Sequence, residues 1–373
     1  MRILTPLRSD IKGSLVEEFS TTALAITLGN ALSRAGVHVG YMGNVEPSRL
    51  DSRSVLYETN PLDPDMIQIA RSLMTYREDR WDVLQLHTAN FATFSQLRKY
   101  TGPEDRVVVT LHVPPNIGRS FYYHHQDLIA MLKLPNFRLV CVSNSGSYVP
   151  LKNFFGNNLP HGFERVVTIP NGVQHMQSIR AVPVSHKIDR FMFVAHLVPG
   201  KNVLKTLEVA VENRINCLFV GRRRPYKDNK VPKAEEEYAV RCEEYINANR
   251  DIIDYRHHLP YSECLTEMSR SRCLLVLSDN ESFGLTPVEA ALVGTPTIWL
   301  ECQGINDTMI DGITGRMIPR RQYRTWKMRK SRAVELYQTI TDLDQMPMFQ
   351  HVYSNYLVSG MADKYQSLYS SVM

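Results

Sequence analysis

Chemistry-bearing residues are most concentrated in Glu281-Ser-Phe-Gly-Leu-Thr-Pro-Val-Glu289, where two carboxylates flank the opening of a helix. The run Cys273-Leu-Leu-Val-Leu-Ser278 before it is apolar and strand-like, Asp279 and Asn280 break it, and Val288 to Val293 reads as a helix closed by Gly294 and Pro296. Free backbone N–H groups at such a helix start, here around Phe283, Gly284 and Leu285, attract phosphate, and Gly284 lets a ligand approach the main chain. Glu281 and Glu289 could then accept hydrogen bonds from sugar hydroxyls on either side of that phosphate. Thr286-Pro-Val-Glu289 also fits a capping box, with Thr286 at N-cap, Pro287 at N1 and Glu289 at N3. Glu289 therefore has two readings, ligand contact or helix cap.

A second strand, loop, helix junction, Phe191-Met-Phe-Val-Ala-His-Leu-Val-Pro-Gly-Lys201-Asn-Val-Leu, offers Lys201 where the loop ends. A cation there neutralises a departing pyrophosphate, or else is solvated surface. His112 closes the apolar run Val109-Thr-Leu-His112 and is either a hydrogen-bonded core histidine or a ligand contact at a strand's carboxyl end. Arg320-Arg-Gln-Tyr-Arg-Thr-Trp-Lys-Met-Arg-Lys-Ser-Arg332 sets seven cations among Tyr323, Trp326 and Met328. That is a solvated helix face, or a polyanion contact through Arg320, Arg321, Arg324, Lys327, Arg329 and Lys330.

The elements that must position these residues form two series. Apolar runs at Ile3-Leu4, Val37 to Tyr41, Val83 to Leu86, Val107 to Leu111, Arg138 to Val142 and Val166 to Ile169 alternate with helical stretches, which predicts a parallel sheet covered on both faces. The pattern restarts with Phe191 to Ala195, Cys217 to Val220, Ile252 to Tyr255, Cys273 to Leu277 and Thr297 to Leu300. Between the series, Pro170 to Pro183 is rich in turn residues and reads as a linker. The chain of 373 residues is long for one core, so two domains with a cleft between them are expected. Composition, with 43% hydrophobic and 22% charged residues, is that of an ordinary globular protein. No apolar stretch approaches the roughly 20 residues of a membrane span, and Met1-Arg-Ile-Leu-Thr-Pro reads as a strand rather than a signal peptide, so a cytoplasmic location is expected. The six cysteines lack metal-ligand spacing and read as reduced structural thiols. A net charge of +5 is compatible with an anionic partner.

In order and spacing, these residues resemble the retaining glycosyltransferases of family 4, whose GT-B fold comprises two facing Rossmann-like domains and a last helix crossing back to the first. The resemblance covers nearly the whole length. Its most specific part is Glu281 to Glu289, which matches the family's Glu, seven residues, Glu motif, followed by a glycine-proline turn and Asp311-Gly-Ile-Thr-Gly-Arg-Met-Ile-Pro319. Lys201 matches the family lysine on the donor pyrophosphate, Pro170-Asn-Gly-Val the entry to the second domain, His112 the first-domain histidine near the donor sugar, and Cys141-Val-Ser143 a serine-bearing strand end. Tyr353 to Tyr369 looks like the returning helix. Two departures stand out: Ala195-His196 replaces the common Gly-Arg, and Ile11-Lys12-Gly13-Ser14 keeps one glycine where the family has paired glycines.

The resemblance implies an acceptor domain over 1–175, a donor domain over 184–352 and a returning helix over 353–373. It further implies a nucleoside diphosphate sugar as donor substrate, with no metal and no other cofactor. Lys201, Glu281 and His112 would be catalytic, while Gly13, His196, Arg222, Phe283, Gly284, Leu285 and Glu289 would hold the donor. The base would sit near Gly221-Arg222 and Tyr255 to Leu259. The acceptor would be a glycan or lipid, reached with peripheral contact to an anionic surface, or a hydroxymethylated DNA base. Arg222 to Lys227 and Gly118 to Leu134 are further candidates for polyanion contact and for the acceptor entrance. A sugar-nucleotide epimerase of the same fold and a non-catalytic nucleic-acid or glycan binding protein are the rivals. A nicotinamide dehydrogenase is disfavoured because Arg8 to Ser14 lacks Gly-x-Gly-x-x-Gly.

Overall fold

The computed structural model describes residues 1–7, 20–43, 45, 47–57, 65–88, 91–112, 119–156, 163–223 and 231–373. Gly13 and Lys12 lie outside the described residues, as do Gly118 and the 224–227 part of the second basic cluster. The chain divides into two compact units, Met1–Gly172 with Val358–Met373, and Val173–Leu357.

The first unit is built on seven parallel strands, β1 Arg2–Pro6, β2 His38–Met42, β3 Val55–Tyr57, β4 Val83–Thr88, β5 Val107–Leu111, β6 Phe137–Cys141 and β7 Val166–Thr168, in the order β3-β2-β1-β4-β5-β6-β7. Between them run α1 Ser20–Arg34, α2 Asp65–Glu78, α3 Ala92–Tyr100, α4 Arg119–Leu132 and α5 Val149–Phe155. The central strands are mainly apolar, because helices cover both faces; every residue of β5 is buried, Thr110 included.

The second unit has six parallel strands, β8 Ile188–Val194, β9 Cys217–Val220, β10 Ile253–Arg256, β11 Ser271–Val276, β12 Thr297–Leu300 and β13 Gly315–Ile318, in the order β10-β9-β8-β11-β12-β13. Its helices are α6 Val203–Asn213, α7 Lys233–Ala248, α8 Tyr261–Arg270, α9 Leu285–Leu292, the single turn α10 Ile305–Thr308, α11 Trp326–Thr339 and α12 Gln345–Asn355. Each unit is thus a doubly wound sheet of the Rossmann type, and the two in series make the GT-B architecture. Strand order reverses direction between β1 and β4 in one sheet and between β8 and β11 in the other, and ligands of open α/β sheets bind beyond the carboxyl ends at such points.

The last helix, α13 Val358–Ser370, belongs to the first unit. Its Met361, Ala362, Tyr365 and Tyr369 join Ala25, Ile26, Leu28 and Leu32 of α1 in one core on the sheet. Two tyrosine hydroxyls fix the docking from within: Tyr365 hydrogen-bonds Thr110 Oγ1 at 2.6 Å and Tyr369 donates to Gln85 Oε1 at 2.9 Å. Residues 353–357 end α12 and its cap, within the second unit.

Two strands escape a pattern reading, β3 and β13. Each is an edge strand of three or four residues and only partly buried, so neither shows a clean apolar signature. The segment from 174 to 183 is no free linker: Gln345 Nε2 donates to Val182 O at 3.0 Å and His175 packs edge-on against Tyr353.

Candidate functional site

Lys201 and Glu281 meet at the β8/β11 reversal. The loop after β8 ends in the turn Pro199–Lys201, and Asn202 then adopts a left-handed conformation, φ 51°. Asn202 can hold it because its side chain donates to Leu277 O at 2.8 Å, while its carbonyl accepts from Thr206 N at 2.9 Å to open α6. Asp279 N donates to Gly200 O at 2.9 Å, tying the two loops together. The result is Lys201 Nζ 2.6 Å from Glu281 Oε1, a pair with both side chains mostly shielded from solvent.

Beside this pair α9 begins. Its N-cap is Gly284, at φ +88°, and no side chain caps it. The first-turn N–H groups are therefore left for a ligand or solvent, which is the arrangement that favours an anion. The capping-box reading fails: Thr286 is inside the helix, not at its N-cap, and Pro287 is at the third helical position rather than the first. Glu289 instead receives a hydrogen bond from the Tyr261 hydroxyl at the start of α8. Burial pushes the Glu289 carboxyl up to about 7, with the Tyr261 bond pulling the other way. Burial, followed by the neighbouring Glu289 charge, raises the Tyr261 phenol pKa.

Among the other expected donor residues, Phe283 is 2% exposed with its ring edge-on to Tyr356, so only its backbone faces the helix opening. Leu285 is the first residue of α9 and partly exposed. His196 and Arg222 follow β8 and β9 on neighbouring strands, linked by Leu197 N to Arg222 O at 2.9 Å. The ring of Tyr255 on β10 stacks on Phe219 at 5.3 Å, and Tyr255 also contacts His257.

The basic stretch divides. Arg320 reaches back to the carboxyl ends of β11 and β12: its Nε donates to Glu301 O at 2.6 Å, its backbone N to Glu301 Oε2 at 2.8 Å, and its guanidinium to Ser278 O, Asp279 O and Asp279 Oδ1 at 3.0–3.2 Å. These bonds brace the loop that carries Glu281. Lys330 pairs with Glu208 and Glu212, and Arg329 donates to Tyr323 O at 2.8 Å. Arg321, Arg324 and Lys327 remain exposed.

In the first unit His112 is buried directly after β5, and its Nε2 lies 2.9 Å from Nδ1 of His87 on β4. Burial lowers the His112 pKa to about 4, and burial followed by the neighbouring His112 lowers that of His87 well below the ordinary range. Tyr261, His87 and Asn202 were not singled out from sequence; only the position of His87 near the end of β4, the strand beside the one that His112 follows, carried a signal. No three His, Cys, Asp or Glu side chains come together as a metal-ligand set among the described residues. No described helix is long and apolar enough to cross a membrane.

The two Rossmann-like units in this order define the fold of GT-B glycosyltransferases, and known proteins agree. Over its whole length the chain is similar to sucrose-phosphate synthase from Thermosynechococcus elongatus, at TM-score 0.73 and 14% identity, covering 100% of this chain and 98% of that one. It is similar to Anabaena HepE solved with UDP-glucose, at TM-score 0.69 and 14% identity with full coverage of both chains. Residues 177–339, most of the second unit, match the family model of glycosyl transferases group 1. An uncharacterized glycosyltransferase of Methanocaldococcus jannaschii is 23% identical over 221 residues, 58% of each chain, so the match spans little more than half of that relative. Together these likenesses show the GT-B fold over the whole chain and a glycosyl transferases group 1 match over most of the second unit.

Proposed function

We propose that the protein is a retaining glycosyltransferase of the family 4 kind, taking a sugar from a nucleoside diphosphate sugar to an acceptor hydroxyl. The observation that carries this reading is the Lys201–Glu281 pair at 2.6 Å beside the Gly284-capped start of α9. The anomeric carbon–oxygen bond to the diphosphate breaks with the electron pair leaving on the diphosphate, and the acceptor oxygen bonds to that carbon as its proton passes to an oxygen of the leaving diphosphate. Lys201 and the N–H groups around Phe283, Gly284 and Leu285 stabilise the charge that builds on the leaving diphosphate. Glu281 contacts the sugar, Glu289 with Tyr261 the ribose, and His196 and Arg222 stand on the strand ends beside the nucleotide. His112 serves the donor sugar or the acceptor.

Of the two acceptor classes, a glycan or lipid-linked hydroxyl is favoured over a DNA base. A polyanion surface needs several uncommitted cations, and Arg320, Arg329 and Lys330 are bonded within the protein. A thermal-shift screen of nucleotide sugars, followed by turnover with and without acceptor, tests the reading. Stabilisation by a uridine, guanosine or adenosine diphosphate sugar and acceptor-dependent transfer are expected. Turnover without any acceptor points to an epimerase, and no stabilisation by any nucleotide sugar sinks the proposal. Binding to plain duplex DNA at low salt would restore the DNA acceptor, because counterion release makes such binding strongest there.

A further inference from the structure

The carboxyl edge of the first sheet sets two imidazoles side by side. His87 pairs in register with Thr110 across β4 and β5, and the ladder runs one step past the strands through His112 N on Thr88 O at 2.9 Å. The rings lie 19° from parallel with centroids 5.1 Å apart, and Nδ1 of His87 is 2.9 Å from Nε2 of His112. The two outward nitrogens, Nε2 of His87 and Nδ1 of His112, are buried and have no hydrogen-bond partner among the described residues. His112 is 8% exposed. An unpaired buried polar atom costs about 1–3 kcal/mol, so two on one dyad, where α/β sheets hold their ligands, point to a bound group.

Proton counting defines that group. Two uncharged imidazoles carry two N–H protons on four nitrogens. The inner contact uses one N–H and one lone pair, so the outward nitrogens offer one N–H and one lone pair whichever ring holds which. Burial keeps the dyad uncharged near neutrality. Hydroxyls satisfy such a pair because each both donates and accepts, whereas phosphate and carboxylate groups serve only its N–H, and an ammonium only its lone pair.

We propose that His87 is a positioning residue for His112, sharing one proton with it so that the pair presents one donor and one acceptor to the hydroxyls of a neutral sugar. The proposal rests on the glycosyl-transfer reading for the origin of that sugar, which is either the donor's or the acceptor's. The dyad also exchanges its outward donor and acceptor together, since moving the shared proton across the inner contact requires both rings to change tautomer.

Two measurements on the full chain test this. In nitrogen spectra of protein labelled at histidine, His87 and His112 should appear as neutral rings of opposite outward character, one outward nitrogen protonated and the other not, and UDP-glucose should shift both outward nitrogens while acetate shifts at most the protonated one. Two like tautomers, or a charged ring at pH 7, would overturn the dyad whatever the enzyme does. In turnover assays with a nucleotide sugar that stabilises the wild type, His87→Phe should lower kcat on the order of a hundredfold, as for a misplaced reacting group. His87→Asn, which returns a nitrogen near the Nδ1 position, should recover much of that loss and covers the case in which the phenylalanine variant folds poorly. The His87→Phe/His112→Phe double variant should be no slower than the slower single one, because the two rings act as one unit. Wild-type kcat in His87→Phe, or losses that multiply in the double variant, would remove the proposal. Equal loss of donor hydrolysis and of transfer assigns the hydroxyls to the donor sugar, and loss of transfer alone to the acceptor. A wild type with neither turnover nor nucleotide-sugar binding but with coupled tautomers would defeat the glycosyl-transfer reading and leave the dyad standing.

Discussion

Lys201 Nζ and Glu281 Oε1 lie 2.6 Å apart although eighty positions separate them in the chain. The topology makes the meeting, since β8 and β11 are neighbours at the point where strand order reverses and each ends in a loop leading to a helix. Before donor binds, the carboxylate holds the ammonium in place and offsets its charge. On the proposed reading, a diphosphate arriving at α9 would compete for the same ammonium and leave Glu281 free to accept from a sugar hydroxyl.

Lys201→Ala and Glu281→Ala should each lower kcat by on the order of ten- to a thousand-fold, the range of a lost electrostatic contact to the transition state. Glu281→Gln should keep the fold and lose less than Glu281→Ala, as its amide oxygen still accepts a hydrogen bond. Steady-state kinetics with any accepted nucleotide sugar read both, and wild-type turnover in a variant would mean that residue stands outside the chemistry.

Glu289 gives the site a pH dependence. Its carboxyl titrates near 7 in the folded protein against an ordinary value of 4.5, so the folded form prefers it protonated. The stability this confers is present below the ordinary value and is lost as pH rises through about 7. Glu289→Gln should therefore be more stable than wild type at pH 8 and close to it at pH 4.5, as read by urea unfolding. If the carboxylate accepts from the ribose, the wild type should bind UDP-glucose more tightly at pH 8 than at pH 6, and the glutamine variant should show no such slope.

The first unit runs the opposite way. His112 and His87 have folded-state pKa values lowered by burial, so their contribution is complete above the ordinary histidine value of 6.5 and is lost as pH falls toward about 4. His112→Asn should flatten the loss of stability between pH 6.5 and 4. An unchanged acid limb would show that these imidazoles are charged or exposed in solution.

Much of this was legible from residues alone, and the part that was not has physical reasons. Buried parallel strands such as β5 and β9 are apolar at all but one position, Thr110, so Val107–Leu111 and Cys217–Val220 announce themselves. Lys201 and Glu281 were visible as strand-end residues, but their contact depends on strand order, which no local pattern encodes. Glu289 looked like a helix cap because Thr286-Pro-Val-Glu289 has the right residues; Gly284, which needs a positive φ and reaches it without strain, starts the helix two residues earlier. Arg320 looked like its neighbours Arg321 and Arg324, since sequence shows charge and not which carbonyls lie in reach.

Arg320 should matter to stability and its neighbours should not. Arg320→Met leaves the carbonyls of Ser278, Asp279 and Glu301 without that donor, each such loss costing about 1–3 kcal/mol where the group is buried. The expected outcome is a clear drop in the urea midpoint together with weakened donor binding, because the braced loop carries Glu281. The exposed trio Arg321→Ala, Arg324→Ala and Lys327→Ala should leave both unchanged, and an equal drop in the trio would place the brace elsewhere.

Two glycines close to the pair make an internal comparison. At Gly304, φ +66°, an added Cβ would lie 2.3 Å from Glu281 O and 2.7 Å from the Ser282 carbonyl carbon, both backbone atoms that cannot swing aside. At Gly200, next to Lys201, an added Cβ would meet nothing within 4 Å. Gly304→Ala must push the Glu281 loop away from Lys201, so it should lose stability by about 1–3 kcal/mol, the range for strained backbone, and bind UDP-glucose at least tenfold more weakly. Gly200→Ala should behave as wild type in both assays. If Gly304→Ala instead kept wild-type affinity, the position of the Glu281 backbone would not control donor binding, and the pairing at 2.6 Å would have to be regarded as a structural tie between the two loops.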